Sequence, residues 1–284
     1  MQYIASVFSA LETNYYPLEG KTLGIVGVGN VGSKVKKVGE AFGMKVVLND
    51  PPRQENGPDF KGVDLNVLLQ MSDVVSFHVP LQREGKYPTF HLLNDATLLM
   101  MKRGSVLINT SRGEVVEERV MKKGISSGII EHGVLDVWEN EPDISRELQE
   151  RLMIGTPHIA GYSVDGKANG TAVAVRFISQ QFELGLDHWF PPQLPVFDDM
   201  TIAPENEDKP RNQQLASVVL ATYDVREDSA RLADHPGNFE ELRGNYPVRR
   251  EFPAWTVQVP GKSQKLKSSL ELLGFITDKL DDGF

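Results

Sequence analysis

"GIVGVGNVGSK", residues 24–34, decides the fold of this chain. Three glycines in the spacing G-x-G-x-x-G, Gly27, Gly29 and Gly32, follow the apolar run Thr22 to Val26, and Val31, Val35, Val38 and Phe42 then recur at helical intervals. A strand, a tight turn and an amphipathic helix in that order open a βαβ unit. The spacing alone also fits a plain strand-to-helix turn. Its surroundings favour a dinucleotide cradle: Gly27 permits the turn, Gly29 lets a pyrophosphate reach the backbone, and Gly32 lets the helix pack closely on the strand. The helix amino terminus offers free N–H groups and positive potential to the phosphates, and its first residues, Asn30 and Val31, are counted among the cofactor contacts.

The next apolar run, "KVVLND" at 45–50, ends in Asp50 at the separation this fingerprint requires. A carboxylate there accepts hydrogen bonds from the two adenosine ribose hydroxyls and repels a 2′-phosphate, so the cofactor is read as NAD rather than NADP. The plain alternative is that Asp50 only opens the turn at Pro51-Pro52, and Arg53 beside it is the feature that would favour NADP.

Outward from this unit the rhythm continues. The β-branched runs "TLGIVG", "KVVLND", "DVVSFHV", "SVLINT", "GVLDVW" and "MIGTPH" alternate with helical patterns such as Val31 to Phe42, Val63 to Met71 and Glu117 to Lys123. Such alternation predicts an α/β fold, a Rossmann-type doubly wound parallel sheet over residues 20–163. Residues 1–19 read as the remnant of a helix crossing between domains. "VDGKANGTAVAVRFISQQFELGL" reads as one long helix from Val164, ended by Gly185 and "FPPQLP", with the stretch 164–195 returning toward a linker at 196–213. From 214 to 284 a smaller α+β unit is expected, with helices at "DSARLADH" and "NFEELRGNY" and strands at "SVVLATYDV" and "WTVQV".

Composition limits the functions available. The chain has 284 residues, 40% of them apolar and 24% charged, and no apolar run long enough to span a bilayer, so no membrane partner is expected. A net charge of −9 works against nucleic acid, and the short pair Arg249-Arg250 does not reverse that. With no cysteine, disulfides and thiolate metal sites are excluded, and no metal is expected. The amino terminus lacks the basic region of a secretory signal, and cytoplasmic residence is the default.

Three later strand ends carry polar residues that a core does not need: "NTSRGE", "LDVWENEP" and "GTPHIAGYS". Function in doubly wound sheets collects at carboxyl strand ends, which brings Arg112, Glu141 and His158 to one crevice. A guanidinium grips a carboxylate through paired hydrogen bonds. Oxidising an alcohol needs a base for the hydroxyl proton, and histidine titrates in the right range. A carboxylate beside it raises its pKa and fixes its tautomer. Asp136, at its strand end, is placed to accept a hydrogen bond from the nicotinamide amide. Singly, Arg112 could be a turn residue, Glu141 a helix opener and His158 a buried histidine; as an ordered set they favour hydride transfer. His78 and His91 are read as structural.

These pieces, in the order "GIVGVGNVGSKV", "SFHVPL", "LINTSRGEVV", "LDVWENEP" and "TPHIAGYS", resemble the D-isomer-specific 2-hydroxyacid dehydrogenases. The resemblance implies that Arg112 holds the substrate carboxylate, Glu141 partners the base, and His158 donates or accepts the proton. It assigns Asp50, Asp136 and Gly161 to the cofactor and Tyr162 to the substrate. Val79 stands near the cofactor where many relatives have threonine. "NDPPR", "HIAGYSVDGKANGT" and "YDVRED…FEELRGNYPVRREF" bring the chain nearest to the branch that oxidises 4-phospho-D-erythronate. That branch implies a phosphorylated 2-hydroxy acid as small-molecule partner, NAD as hydride acceptor, and a homodimer formed through the C-terminal unit. The family's substrate-binding segment, the size of a small domain, is represented here only by "MQYIASVFSALETNYYPLEGKT". The expectation is therefore NAD binding with little turnover by this chain, and an apolar face laid bare on the helix from Val164. A non-catalytic NAD-binding or dimerising module, or a dehydrogenase of another D-2-hydroxy acid, are the alternatives.

Overall fold

The computed structural model describes residues 1–14, 16–57, 59–260 and 263–279. Six strands, β1 (Thr22–Val26), β2 (Lys45–Asn49), β3 (Val74–Phe77), β4 (Ser105–Asn109), β5 (Ile130–Leu135) and β6 (Ile154–Gly155), form one sheet in the order β2-β1-β3-β4-β5-β6. Every pairing is parallel. The register aligns the last residues: Val26 pairs with both Asn49 and Phe77, Phe77 with Asn109, Asn109 with Leu135, and Leu135 with Gly155. Gly27, Asp50, His78, Thr110, Asp136 and Thr156 consequently leave the sheet along one edge.

The helices are α1 (Gln2–Thr13), α2 (Asn30–Ala41), α3 (Pro51–Asn56), α4 (Leu65–Met71), α5 (Asp95–Leu98), α6 (Glu118–Ser127), α7 (Arg146–Gln149), α8 (Val164–Phe182), α9 (Arg211–Thr222), α10 (Val225–Asp234), α11 (Phe239–Gly244) and α12 (Gln264–Leu273). Side chains alternate across the sheet. Leu23, Ile25, Val74, Val106 and Ile108 enter one core with α1, α2, α9 and α12, whereas Val26, Val75, Phe77 and Leu107 enter the other with α4, α5 and α6. Burial on both faces is why these strands read as unbroken β-branched runs.

From Gln2 to Leu11 every residue of α1 is buried. Two of its polar members reach the C-terminal region: Gln2 Nε2 donates to the Arg250 carbonyl at 2.9 Å, and Ser6 Oγ donates to the Tyr223 carbonyl at 2.8 Å while accepting from Val225 N at 2.9 Å. One continuous core thus runs from the sheet through α1 and α9 to a second sheet of β7 (Thr201–Ile202), β8 (Thr256–Val259) and β9 (Ile276–Lys279), ordered β7-β8-β9 and parallel. Residues 280–284 of the expected C-terminal unit lie outside the described residues.

Three expectations are corrected. "SVVLATYDV", residues 217–225, is not a strand: 217–222 lie in α9, whose Leu215, Val218 and Val219 are buried together at helical spacing, and Val225 opens α10. Packing against α1 overrides the local β preference of its valines. Within the expected linker, Thr201–Ile202 adds a strand to the second sheet, and Arg211 already belongs to α9. The long helix stops at Phe182, where Glu183 turns left-handed at φ +52°, rather than at Gly185. The bare apolar face is present on α8, where Val173, Phe177 and Phe182 are 65%, 63% and 72% exposed.

Candidate active site

The glycine loop leaves β1 and turns at Gly27, whose φ is +89° and where a side chain would meet the His78 carbonyl at 2.6 Å and Val79 at 2.8 Å. At Gly32 a Cβ would fall 2.0 Å from the Gly27 carbonyl, so α2 lies hard against the turn. Between them Gly29, Asn30 and Val31 are exposed, and Gly29 caps α2 with no side-chain bond to its first amides. Open space at Gly29 and an uncapped helix start fit a pyrophosphate. Asp50 Oδ2 accepts from Val28 N at 2.8 Å and Oδ1 from Arg53 N at 3.0 Å, so the carboxylate opens α3 and also braces the loop. Arg53 Nη1 donates to the Val28 carbonyl at 2.5 Å, which draws this guanidinium onto the loop backbone.

On the same edge, beyond β5 and β6, Glu141 Oε1 accepts from Trp138 N at 2.8 Å and Oε2 meets His158 Nδ1 at 2.7 Å. Nδ1 is taken by the carboxylate, and among the described residues Nε2 has no hydrogen-bond partner. His158 has φ +56°, a left-handed conformation costly for a residue with a side chain, about 1 kcal/mol or more. It is held there because its N–H donates to the carbonyls of Asp136 at 2.8 Å and Thr156 at 3.0 Å. Beneath it, Asp136 is buried and accepts from Thr156 Oγ1 and Ile159 N, each at 2.7 Å, and from Ala160 N at 2.9 Å. Burial pushes its pKa up while these donors pull it down. Since the Thr156 hydroxyl hydrogen goes to Asp136, the 2.7 Å contact with Tyr3 is donated by the Tyr3 hydroxyl, which ties α1 to the site.

This arrangement is accompanied by close sequence relatives. Residues 5–160 match the family described as "D-isomer specific 2-hydroxyacid dehydrogenase, NAD binding domain". The chain belongs to this family. It is 47% identical to the erythronate-4-phosphate dehydrogenase of Bacteroides thetaiotaomicron over 83% of this chain and 65% of that protein. Against the enzymes of that name from Bacteroides fragilis and Proteus mirabilis it is 44% and 39% identical, over 91% and 95% of this chain and 72% of each of theirs. The chain thus spans about two thirds of the length of these relatives. Residues 195–274 match a domain of unknown function.

In this member of the family the Arg112 turn is built against the Glu141 turn. Buried Asn109 donates to the Arg112 carbonyl at 2.9 Å and accepts from Ser111 N at 3.0 Å and Ser111 Oγ at 2.7 Å. Gly113 passes so close to Trp138 that a Cβ would sit 1.9 Å from the Trp138 carbonyl, and the Trp138 amide is the one that holds Glu141. Arg112 itself is exposed, with one N–H folded onto the Ser111 carbonyl at 2.6 Å. Gly161 is exposed with open space around it, and Tyr162 is half-buried, its hydroxyl accepting from Arg243 Nε at 3.0 Å. His78 contacts Ser76 at 2.8 Å and Thr110 at 3.3 Å, and burial holds its pKa down to about 3, so it is neutral. His91 is tied to Glu139 at 2.7 Å. Among the described residues there is no group of three or more metal-binding side chains, and no helix long and apolar enough to cross a membrane.

The hydrogen bond to Glu141 raises the His158 pKa, and partial burial opposes it. Glu141→Gln removes the charge that favours imidazolium, so the pKa falls. The acid limb of the kcat/KM profile for alcohol oxidation, which needs the neutral base, then moves to lower pH, and the plateau drops as the ring loses its tether. A pH–rate series on both proteins checks this; a limb that stays in place assigns the titration to another group.

Sequence reasoning missed the C-terminal contribution. Arg249, 5% exposed, donates to the Ile159 and Ala160 carbonyls at 3.2 and 3.0 Å, its own carbonyl accepts from Val164 N at 2.9 Å, and Arg250 pairs with Asp165 at 3.0 Å. The segment "RGNYPVRR" thus clamps the loop after His158. The sequence marks this segment by its basic pair and its place in "FEELRGNYPVRREF", and nothing local says what it grips.

Proposed function

We propose that this chain supplies the catalytic and NAD-binding part of an enzyme that oxidises 4-phospho-D-erythronate at C2 to 2-oxo-3-hydroxy-4-phosphobutanoate, the activity named for its relatives. The observation that carries the reading is the 2.7 Å Glu141–His158 pair, standing on the strand-end row that also starts the glycine loop and the Arg112 turn. Arg112 grips the substrate carboxylate and holds the reacting carbon by the ring. His158 Nε2 takes the hydroxyl proton, and Glu141 stabilises the imidazolium formed. Gly27, Gly29, Asn30, Val31 and Gly32 would hold NAD, with Asp50 on the adenosine ribose and Val79 and Gly161 at the nicotinamide end, and NAD when bound supplies the hydride acceptor; Asp136, its oxygens committed to the His158 loop, is left out of that contact. Tyr162 contacts the substrate. The active species is a cytoplasmic homodimer, joined through the C-terminal unit at 214–284.

The test is NADH formation, followed by absorbance, from NAD and 4-phospho-D-erythronate, with D-lactate and D-glycerate as comparison substrates. Faster reduction with the phosphorylated acid is the expected result. Preference for another acid would replace the substrate. NAD binding without reduction of any of them would make the chain a binding module and end the catalytic reading.

A further inference from the structure

The proposed substrate carries two anionic ends, a carboxylate beside the reacting carbon and a phosphate at the other terminus. Arg112 accounts for one. Two cations gather at Tyr162, four residues after His158. Arg243 Nε donates to the Tyr162 hydroxyl at 3.0 Å with its guanidinium carbon 5.8 Å from the ring centre, and Lys167 Nζ lies 4.3 Å from the same centre. Tyr162 is kept beside the base by a turn, its N–H donating to the Ile159 carbonyl at 2.9 Å.

We propose that Arg243, Lys167 and the Tyr162 hydroxyl form an anion subsite that takes the phosphate group of the substrate. The inference rests on the dehydrogenase reading above and extends it to a part of the chain, residues 195–274, whose family has no stated function.

Donor capacity supports it. With Nε committed to Tyr162, the Nη1–Nη2 edge of Arg243 makes, among the described residues, only a loose ion pair with exposed Glu240 at 3.7 Å. That edge is the fork that matches two phosphate oxygens. Lys167 is exposed and, among the described residues, its ammonium has no carboxylate partner. Two such cations at one tyrosine, in a chain of net charge −9, mark a local positive field on an acidic protein.

Position supports it as well. Arg243 reaches the site from α11, and the clamp made by Arg249 and Arg250 holds the following segment against residues 159–165, so the guanidinium is presented by packed structure. Arg243 is near enough to His158 to oppose the rise in its pKa.

Calorimetric titration of the NADH-loaded protein with 4-phospho-D-erythronate and with D-erythronate tests the assignment. Arg243→Gln is expected to weaken the phosphorylated acid by about ten- to hundredfold, the worth of one or two charge-assisted hydrogen bonds, and to leave D-erythronate unaltered. Lys167→Gln, at an exposed position, shows a smaller loss in the same direction, and Arg243→Lys recovers part of the affinity. Circular dichroism and NADH affinity equal to those of the unchanged protein identify folded variants, and Lys167→Gln carries the test where Arg243→Gln does not fold. Equal losses for both acids, or none for either, overturn the subsite and leave the dehydrogenase reading in place. Failure of the unchanged, NADH-loaded protein to bind 4-phospho-D-erythronate overturns both.

Discussion

His158→Ala is expected to lower the rate of NADH formation from 4-phospho-D-erythronate by about 10²–10⁴-fold, the range for loss of a general base. His158 is fixed at ring and backbone: Glu141 holds Nδ1 at 2.7 Å, and the Asp136 and Thr156 carbonyls hold the backbone N–H. No rotation of another side chain replaces a base so fixed, and Glu141 lies behind the ring with one oxygen already on Trp138 N. Because Arg112 and the glycine loop are untouched, NADH affinity is unchanged and kcat takes most of the loss. Steady-state kinetics with NADH fluorescence in parallel measure the two effects. An unaltered rate would remove His158 from the mechanism. Relief of the left-handed backbone at 158 by the same change is small, since alanine meets the same Cβ penalty.

Asp136→Ala has the largest expected effect on stability. Its two oxygens take three donors, from Thr156, Ile159 and Ala160, in a buried setting. Stranding each donor costs about 1–3 kcal/mol, and the sum is reduced because the native carboxylate itself pays for burial, so the net loss is about 3–6 kcal/mol. A lower urea midpoint with an unchanged m-value is the expected result. The loop carrying His158 also loosens, and turnover falls with it. A loss of activity and cofactor affinity at an unchanged urea midpoint would place the work of Asp136 at the nicotinamide rather than beneath the loop.

Much of this architecture is legible in one dimension. Each of the six sheet strands overlaps one of the expected runs, β5 starting at Ile130, three residues ahead of "GVLDVW", because a parallel strand covered on both faces is largely apolar. The glycine spacing is legible because a Cβ at 27 or 32 would collide with backbone at 2.6 or 2.0 Å, leaving the chain no other residue there. "SVVLATYDV" does not declare itself, because a short apolar run with β-branched members suits a buried helix as well as a strand. What settles it is the surface of α1 that Leu215, Val218 and Val219 meet.

The candidate site divides in the same way. Strand-end logic is enough to place Arg112, Glu141 and His158 on one edge, since register in a parallel sheet aligns the strand termini. It does not reveal that Asp136 spends its oxygens on the His158 loop, or that Gly113 and Trp138 lock two of the turns together. Nor does it reveal Arg243 and Arg249, which reach Tyr162 and Ile159 across 81 and 90 residues.

Sequence alone determined the parallel sheet, the nucleotide loop and the three polar side chains on its edge, because backbone periodicity and steric tolerance are local and repeat along the chain. Only the tertiary structure decided which groups hold the His158 loop and that the C-terminal region supplies a cation beside it. Those choices depend on how packed surfaces meet, and contacts between distant segments leave no period in the residues that make them.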